Sequence, residues 1–174
     1  FPLGLLGFAP TLCVLNLAQN QLTQLPEEIE QLQKLTKLDV ARNQLRCLPD
    51  AMGRLPVLTS LCLDSNPLGP QFDQLEHILQ LMVTNGDGGR LEHLSLRNCQ
   101  LDRVPSPAGL AGLGRLVHLD LSDNCIASVP PRLGLCSQLR SLLLGGNTFR
   151  VPRPQVLSKG TAAILEYLRS RIPR

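Results

Sequence analysis

Two histidines and a carboxylate are the side chains of this sequence whose types and spacing come nearest to a reactive site. His93 and His118 occupy equivalent places in two similar segments, and Asp120 follows the second histidine by two residues. Paired imidazoles beside a carboxylate could bind a metal ion or form a pH-sensitive contact. The sequence offers no firm third ligand. We therefore expect neither a metal nor a cofactor, and predict a mixed polar protein-binding surface instead.

Six cysteines could support redox or metal chemistry, but their spacing argues against both. They are scattered, with no Cys-x-x-Cys pair and no cluster at either end. The sequence also contains no Asn-x-Ser/Thr acceptor, no signal-peptide pattern and no apolar run long enough to cross a membrane. We therefore expect reduced thiols, no membrane span and a cytoplasmic location, with the nucleus as the alternative.

Motifs of the common catalytic folds are missing from the sequence. It contains no G-x-x-x-x-G-K-[ST] phosphate loop, no kinase motif set and no G-x-S-x-G nucleophile elbow. We therefore expect a protein that is not an enzyme.

The elements that position these side chains are set by an internal repeat. The frame L-x-x-L-x-L-x-x-N-x-L occurs six times, with steps of 23, 23, 33, 25 and 23 residues between starts, and it begins at Leu12, Leu35, Leu58, Leu91, Leu116 and Leu139. Each x-L-x-L-x core predicts a short strand whose leucines point inward and stack on those of the next repeat. The Asn amide then satisfies backbone groups left unpaired by the turn. Cys99 takes the Asn place in the fourth frame, and we interpret it as structural.

A second pattern, L-P-x-x-I-x-x-L, connects successive frames and supplies apolar residues for the outer wall. Together the two patterns predict an α/β fold: a leucine-rich-repeat solenoid, that is, a curved right-handed coil with a concave parallel β-sheet and a C-terminal capping helix. We assign residues 1–149 to about six repeats and residues 150–174 to the cap. The first coil reads as truncated at Phe1, so we expect further repeats upstream.

The 33-residue step contains a helical insertion at about 69–90. Apolar residues at helical spacing predict an amphipathic helix from Phe72 to about Val83, followed by a mobile surface loop at 84–89. The helix could simply pack on the outer wall, or it could form a partner contact that interrupts that wall. Both interpretations remain open from the sequence.

The final segment leaves the repeat and carries most of the positive charge. We predict Thr161 as N-cap and a helix from Ala162 to about Arg171, whose apolar face covers the open end of the stack. The net charge of the chain is +3, yet residues 150–174 hold six basic residues and one acidic residue. Aromatic residues do not alternate with these cations, so we expect no nucleic-acid partner.

The coils resemble the Ras-group intracellular leucine-rich repeats. The likeness rests on the 23-residue step with its Leu-Pro-x-x-Ile pattern, and residues 146–153 and 159–169 are similar to the C-terminus of one member of that superfamily. The resemblance implies an intracellular, non-catalytic protein whose partners include small GTPases or other signalling proteins. It supplies no binding residues that can be assigned here.

The variable positions of the strands predict where a partner binds. They project onto the concave face, which is the usual binding surface of a solenoid. The candidate binding residues are Lys37, Asp39, Asp64, His93, Ser95, Arg97, His118, Asp120 and Ser122. We expect a monomeric, non-catalytic interaction module or scaffold. The alternatives are a regulatory arm of a larger signalling enzyme, whose catalytic domain lies outside this chain, and a fragment of an extracellular receptor, which the scattered cysteines disfavour.

Overall fold

Six short strands form one parallel sheet in the computed structural model, which describes residues 4, 7, 9–84 and 89–173. The strands follow one another in sequence order, so that each pairs only with its neighbours in the chain. They are β1 (Val14–Asn16), β2 (Lys37–Asp39), β3 (Ser60–Cys62), β4 (His93–Ser95), β5 (His118–Asp120) and β6 (Ser141–Leu143). This arrangement confirms the predicted α/β solenoid.

The repeated leucines stack in rows because the strands are in register. Leu15 pairs with Leu38, and the same register continues through Leu61, Leu94, Leu119 and Leu142. All six are buried, with at most 6% of each residue exposed. Burying a leucine contributes roughly 1.5–3 kcal/mol, and no single coil can bury its own apolar face. The core is therefore shared between neighbouring coils.

Asparagine amides join the coils at the exit of each strand. The Asn66 amide donates to the carbonyl of Leu63 in its own coil and to the carbonyl of Val40 in the preceding coil, each at 2.9 Å. Its Oδ1 accepts the N–H of Leu45 at 3.0 Å. Equivalent bonds to the preceding coil are made by Asn43, Asn124 and Asn147. Each amide thus satisfies backbone groups of two coils.

We call the six equivalent positions at the strand exits the asparagine ladder; they are Asn20, Asn43, Asn66, Cys99, Asn124 and Asn147. The residue before each ladder position adopts the left-handed backbone conformation. Its φ lies between 53° and 72° at Gln19, Arg42, Ser65, Asn98, Asp123 and Gly146. This conformation turns the chain out of the strand and presents the next side chain to the coil interior. Only one of the six is glycine, so five coils accept the steric strain that an L side chain has in this conformation.

The outer wall consists of single helical turns that follow prolines. They are the 3-10 turns Glu27–Gln31, Asp50–Arg54 and Pro131–Leu135, and the short helix α2 (Pro107–Gly112). A proline precedes or opens each turn. Pro26 and Pro49 are N-caps with an extended backbone, and Pro107 and Pro131 open their turns at the first helical position, which the fixed φ of proline suits. Each turn places apolar side chains, such as Ile29 and Met52, against the backs of the leucine rows.

The insertion forms a longer helix on this wall, α1 (Phe72–Thr84). Its buried residues are the five that the sequence places at helical spacing: Phe72, Leu75, Ile78, Leu79 and Met82. Two glycines of neighbouring turns allow the helix to approach closely. A Cβ on Gly53 would lie 2.4 Å from the Leu81 Cβ, and a Cβ on Gly112 would lie 2.8 Å from a Val83 methyl carbon. In its coil, α1 therefore takes the place that a single helical turn has on the outer wall of the other coils.

The asparagine ladder changes where this insertion begins. The thiol of Cys99 donates to the carbonyl of Leu63 at 3.3 Å, as an asparagine would, but a thiol is a weak acceptor. The N–H of Leu68 bonds instead to the Asn66 carbonyl at 2.8 Å. The chain then passes so close to Gln100 that a Cβ on Gly69 would lie 1.8 Å from the Gln100 carbonyl oxygen. Glycine at this position is therefore required by the backbone approach.

The C-terminal cap contains two helices, α3 (Pro154–Leu157) and α4 (Thr161–Arg169). The predicted N-cap was wrong, because Gly160 occupies the N-cap with φ 88° and Thr161 is already helical. The Thr161 hydroxyl instead accepts the N–H of Leu142 at 2.9 Å. This bond satisfies a donor on the last strand that no further strand pairs with. The helix also ends earlier than predicted, at Arg169.

Helix α4 packs its apolar face on the last outer turn. Ile164, Leu165 and Leu168 are buried, and the guanidinium of Arg169 donates to the carbonyl of Gly134 at 3.0 and 3.2 Å. Two expectations concern positions outside the described residues: the truncated coil around Phe1, and the loop at 84–89, of which residues 85–88 are not described.

Candidate protein-binding surface

The solvent-facing side of the sheet, which we call the concave face, displays the predicted candidate residues in rows. Lys37, Ser60, His93 and His118 form one row, and Asp39, Cys62, Ser95 and Asp120 form the next. A third row follows each strand and contains Ala41, Asp64, Arg97 and Ser122. Lys37, His93 and Arg97 are exposed, and the other six candidates are partly exposed.

Two of the predicted acidic residues have a structural partner that the sequence did not reveal. One carboxylate oxygen of Asp39 accepts the N–H of Ala41 at 2.9 Å, and Asp120 accepts the N–H of Ser122 at 2.8 Å. Each carboxylate is thereby fixed in one orientation at the strand exit. A fixed side chain loses less conformational entropy when a partner binds than a free one does.

Asp64 and Arg97 form the centre of a polar network that crosses three coils. Asp64 Oδ1 accepts the hydroxyl of Ser95 at 2.6 Å and the N–H of Arg97 at 2.9 Å. The Arg97 guanidinium reaches the next coil and pairs with Asp123 at 2.7 Å. This hydrogen bond and the charge of Asp123 raise the pKa of Arg97 above its ordinary value. Of the residues in this network, the sequence prediction omitted only Asp123.

A groove of about 530 Å³ lies over this network. Its lining comprises Ala41, Arg42, Asp64, Ser65, Arg97, Asn98 and Asp123. Arg42 is exposed, and within the described residues no carboxylate lies at ion-pair distance from its guanidinium. The sequence prediction missed Arg42 because its candidates extended only as far as the position that precedes Arg42 in its coil. The repeat could have indicated Arg42, because the residue directly before each ladder position occupies the same place in every coil.

His93 and His118 lie side by side on adjacent strands. Their ring centroids are 5.8 Å apart and the rings are inclined by 40°. In the described parts of the chain, no three His, Cys, Asp or Glu side chains converge on a point that could hold a metal ion. The pair therefore contributes two neighbouring imidazoles to the concave face.

Burial keeps three of the thiols in their neutral form at neutral pH. Burial raises the pKa of Cys62 and of Cys99 to about 12, and that of Cys136 to about 11. A thiol becomes a good nucleophile only as the thiolate. These three cysteines therefore serve as small apolar residues, and the chain's free cysteines at exposed positions are Cys13 and Cys125.

Comparison with known families identifies the repeat. Residues 9–68 match the family described as Leucine rich repeat, and residues 90–113 and 115–136 match a second family of the same description. These matches cover more than half of the sequence. The chain is a leucine-rich-repeat protein. Within the described residues, no helix of this leucine-rich-repeat protein is both long enough and apolar enough to cross a membrane.

Several solved leucine-rich-repeat structures are similar to this chain. An internalin C2 of Listeria monocytogenes has a TM-score of 0.66 at 26% identity, over 83% of this chain and 56% of its own. A leucine-rich-repeat protein of Leptospira interrogans has a TM-score of 0.59 at 31% identity, over 75% and 30%. The ectodomain of the Arabidopsis receptor kinase HAESA, solved in complex with a peptide hormone ligand, has a TM-score of 0.57 at 27% identity, over 78% and 22%. The chain thus spans between about a fifth and a little over half of these proteins.

Proposed function

We propose that this chain is a non-catalytic interaction module that binds a protein partner on its concave face. The observation that carries the proposal is the contrast between the two sides of the strands. The inward leucines repeat almost unchanged and are buried, whereas the outward positions vary from strand to strand and are open to solvent. A rigid sheet with a varied polar face suits recognition of one particular surface.

The groove over Asp64 and Arg97 is the part of this face best suited to recognition. Its carboxylates are held by internal hydrogen bonds and an ion pair, and Arg42 offers a guanidinium that forms no ion pair with any described carboxylate. Guanidinium groups bind carboxylates through two parallel hydrogen bonds. A polypeptide ligand is consistent with the peptide held by the related HAESA ectodomain.

The resemblance of the coils to the Ras-group intracellular repeats supports a finer proposal. We propose that the chain is a relative of leucine-rich repeat-containing protein 40 in that superfamily, acts in the cytoplasm or nucleus, and binds a small GTPase or another signalling protein. Free thiols at all six cysteines agree with a reducing compartment.

A regulatory arm of a larger signalling enzyme is the alternative function. The likeness to a receptor kinase ectodomain favours it, since that protein combines such repeats with a kinase. The two functions differ in what the full-length gene product contains. A catalytic domain on the same polypeptide, with activity altered by concave-face substitutions, would favour the alternative.

Affinity purification of the tagged chain, followed by mass spectrometry, tests the proposed function. The concave variant is Arg97→Ala with Asp120→Asn, because asparagine keeps the acceptor for the N–H of Ser122. The matched control is Arg46→Ala with Glu28→Gln, which removes the same charges from exposed positions away from the sheet.

We expect the wild type and the control to recover one discrete partner. The concave variant should recover at least about tenfold less of that partner, at an unchanged melting temperature. Equal recovery by all three proteins would contradict binding on the concave face.

A further inference from the structure

The charge of this molecule is strongly polarised along the stack. Described residues 124–173 contain seven basic residues and one acidic residue, Glu166. The five ion pairs found in the described residues all lie between residues 27 and 123. The C-terminal end therefore presents positive charge that no described carboxylate neutralises by direct pairing.

Two of these cations have roles within the cap. Arg169 binds the carbonyl of Gly134, and the guanidinium of Arg171 lies 5.1 Å from the centre of the Tyr167 ring. Arg150 has no such contact, and it is exposed at the rim of a groove of about 370 Å³. We call this the Val151 groove, and its lining residues are Ala127, Ser128, Val129, Thr148, Arg150 and Val151.

Side-chain size explains why the groove forms between the last two coils. The fourth coil has Asp102 and Arg103 at the two positions where the fifth coil has the smaller residues Ala127 and Ser128. The small side chains leave space beside Val151, which is 44% exposed although it is a large apolar residue. The groove therefore joins an apolar wall to an unpaired cation.

We propose that the Val151 groove is a second docking site, which takes an extended acidic segment of a protein partner. Apolar side chains of the segment pack on Val151 and Ala127, which are exposed, and a neighbouring carboxylate pairs with the Arg150 guanidinium. The surrounding positive charge attracts the segment and raises its rate of association. The site is separate from the concave face and independent of what binds there.

Polypeptide fits this groove better than nucleic acid or a membrane does. Single-stranded nucleic acid requires aromatic side chains on which bases stack. None of the residues that line the groove is aromatic, and one face of the Tyr167 ring is occupied by the guanidinium of Arg171. A membrane surface requires an amphipathic helix with its apolar side free, whereas the apolar side of α4 is buried on the last coil.

Fluorescence anisotropy with a labelled peptide of repeated Glu-Leu-Asp-Val units tests the proposal, with Gln-Leu-Asn-Val as the neutral control peptide. The protein variants are Arg150→Glu, Val151→Ser and, as matched control, Arg46→Glu. Arg46 holds the position of Arg150 in the second coil, is exposed and has no described ion pair. Melting curves establish that each variant is folded, and Arg150→Gln replaces Arg150→Glu if the latter is not.

We expect the acidic peptide to bind at least about tenfold more tightly than the neutral one. Arg150→Glu should weaken binding about tenfold and Val151→Ser about threefold or more, while Arg46→Glu leaves it unchanged. The proposal is overturned if Arg46→Glu weakens binding as much as Arg150→Glu does, or if Val151→Ser has no effect. If a single-stranded oligonucleotide or phosphatidylserine vesicles bind more tightly than the acidic peptide, the proposal is also overturned, because the groove then attracts any polyanion.

Discussion

The asparagine ladder shows how one side chain type can fix the spacing of coils. A buried backbone N–H or C=O without a partner costs about 1–3 kcal/mol, and each inner amide satisfies groups on two coils. Asn66 is 1% exposed and donates to both Val40 and Leu63. Asn20 is exposed and, among the described residues, donates only to carbonyls of its own coil. The two residues therefore provide a matched comparison.

Replacing Asn66 with alanine should destabilise the protein far more than the same change at Asn20. We expect Asn66→Ala to lower the free energy of unfolding by about 3 kcal/mol, because buried backbone groups lose their partners, and Asn20→Ala to lower it by less than about 1 kcal/mol. Equilibrium urea denaturation measures both. Equal losses would show that the ladder does not join the coils.

The buried thiols give the stability of the fold a definite pH dependence. Burial raises the pKa values of Cys99 and Cys136 from the ordinary value of 9.0 to about 12 and about 11. The unfolded chain therefore loses these protons first as the pH rises. The stabilisation is complete below pH 9 and is lost progressively between pH 9 and about pH 12.

We expect denaturant midpoints to fall as the pH is raised above 9, and to fall less steeply when Cys99 and Cys136 are both replaced by alanine. The slope against pH is the informative quantity, because the double substitution also lowers stability at every pH. Identical slopes in the two proteins would contradict the assignment to these thiols.

At the scale of elements, glycines set how closely the helices approach the stack. A Cβ on Gly134 would lie 2.5 Å from the Arg169 nitrogen and 2.7 Å from the Leu165 carbonyl oxygen. Both are backbone atoms of α4, which cannot move without displacing the cap. Gly145 lies on the sheet side, and a Cβ there would meet nothing within 4 Å.

Gly134→Ala should therefore loosen the cap, whereas Gly145→Ala should not. We expect Gly134→Ala to cost about 2 kcal/mol of unfolding free energy and to speed hydrogen exchange in α4, since the helix must shift outward. Gly145→Ala should change stability by no more than about 0.5 kcal/mol. Mass-spectrometric hydrogen exchange of peptides covering 161–169 provides the readout, and unaltered exchange in Gly134→Ala would argue against close packing of α4.

Features that follow from residue spacing could be predicted from the sequence, and individual hydrogen bonds that depend on the detailed path of the backbone could not. The strands and the leucine rows follow from the repeat, because a repeated position has the same surroundings each time. Helix α1 follows from the helical spacing of its own apolar residues. The role of Thr161 depends on the unpaired N–H of Leu142, nineteen residues away. The bond from Asp39 to Ala41 and the groove containing Arg42 depend likewise on how the chain turns at each strand exit.

At the scale of the whole molecule, stacking places a rigid polar face on one side and a positive end at the C-terminus. Every strand pairs with its neighbours in the same register, so side chains on the concave face keep fixed positions over six coils. Such a surface recognises a partner with little loss of conformational entropy. On the outer wall, Arg54 pairs with Glu30 of the preceding coil.

Photo-crosslinking in cells tests most directly whether the concave face is the binding surface. A benzophenone amino acid would replace His93 on the concave face in one variant and Glu28 on the outer wall in another, both at exposed positions. We predict that illumination of the His93 variant yields a discrete covalent adduct with one partner, and that the Glu28 variant yields none. An adduct formed from Glu28 and not from His93 would contradict the account.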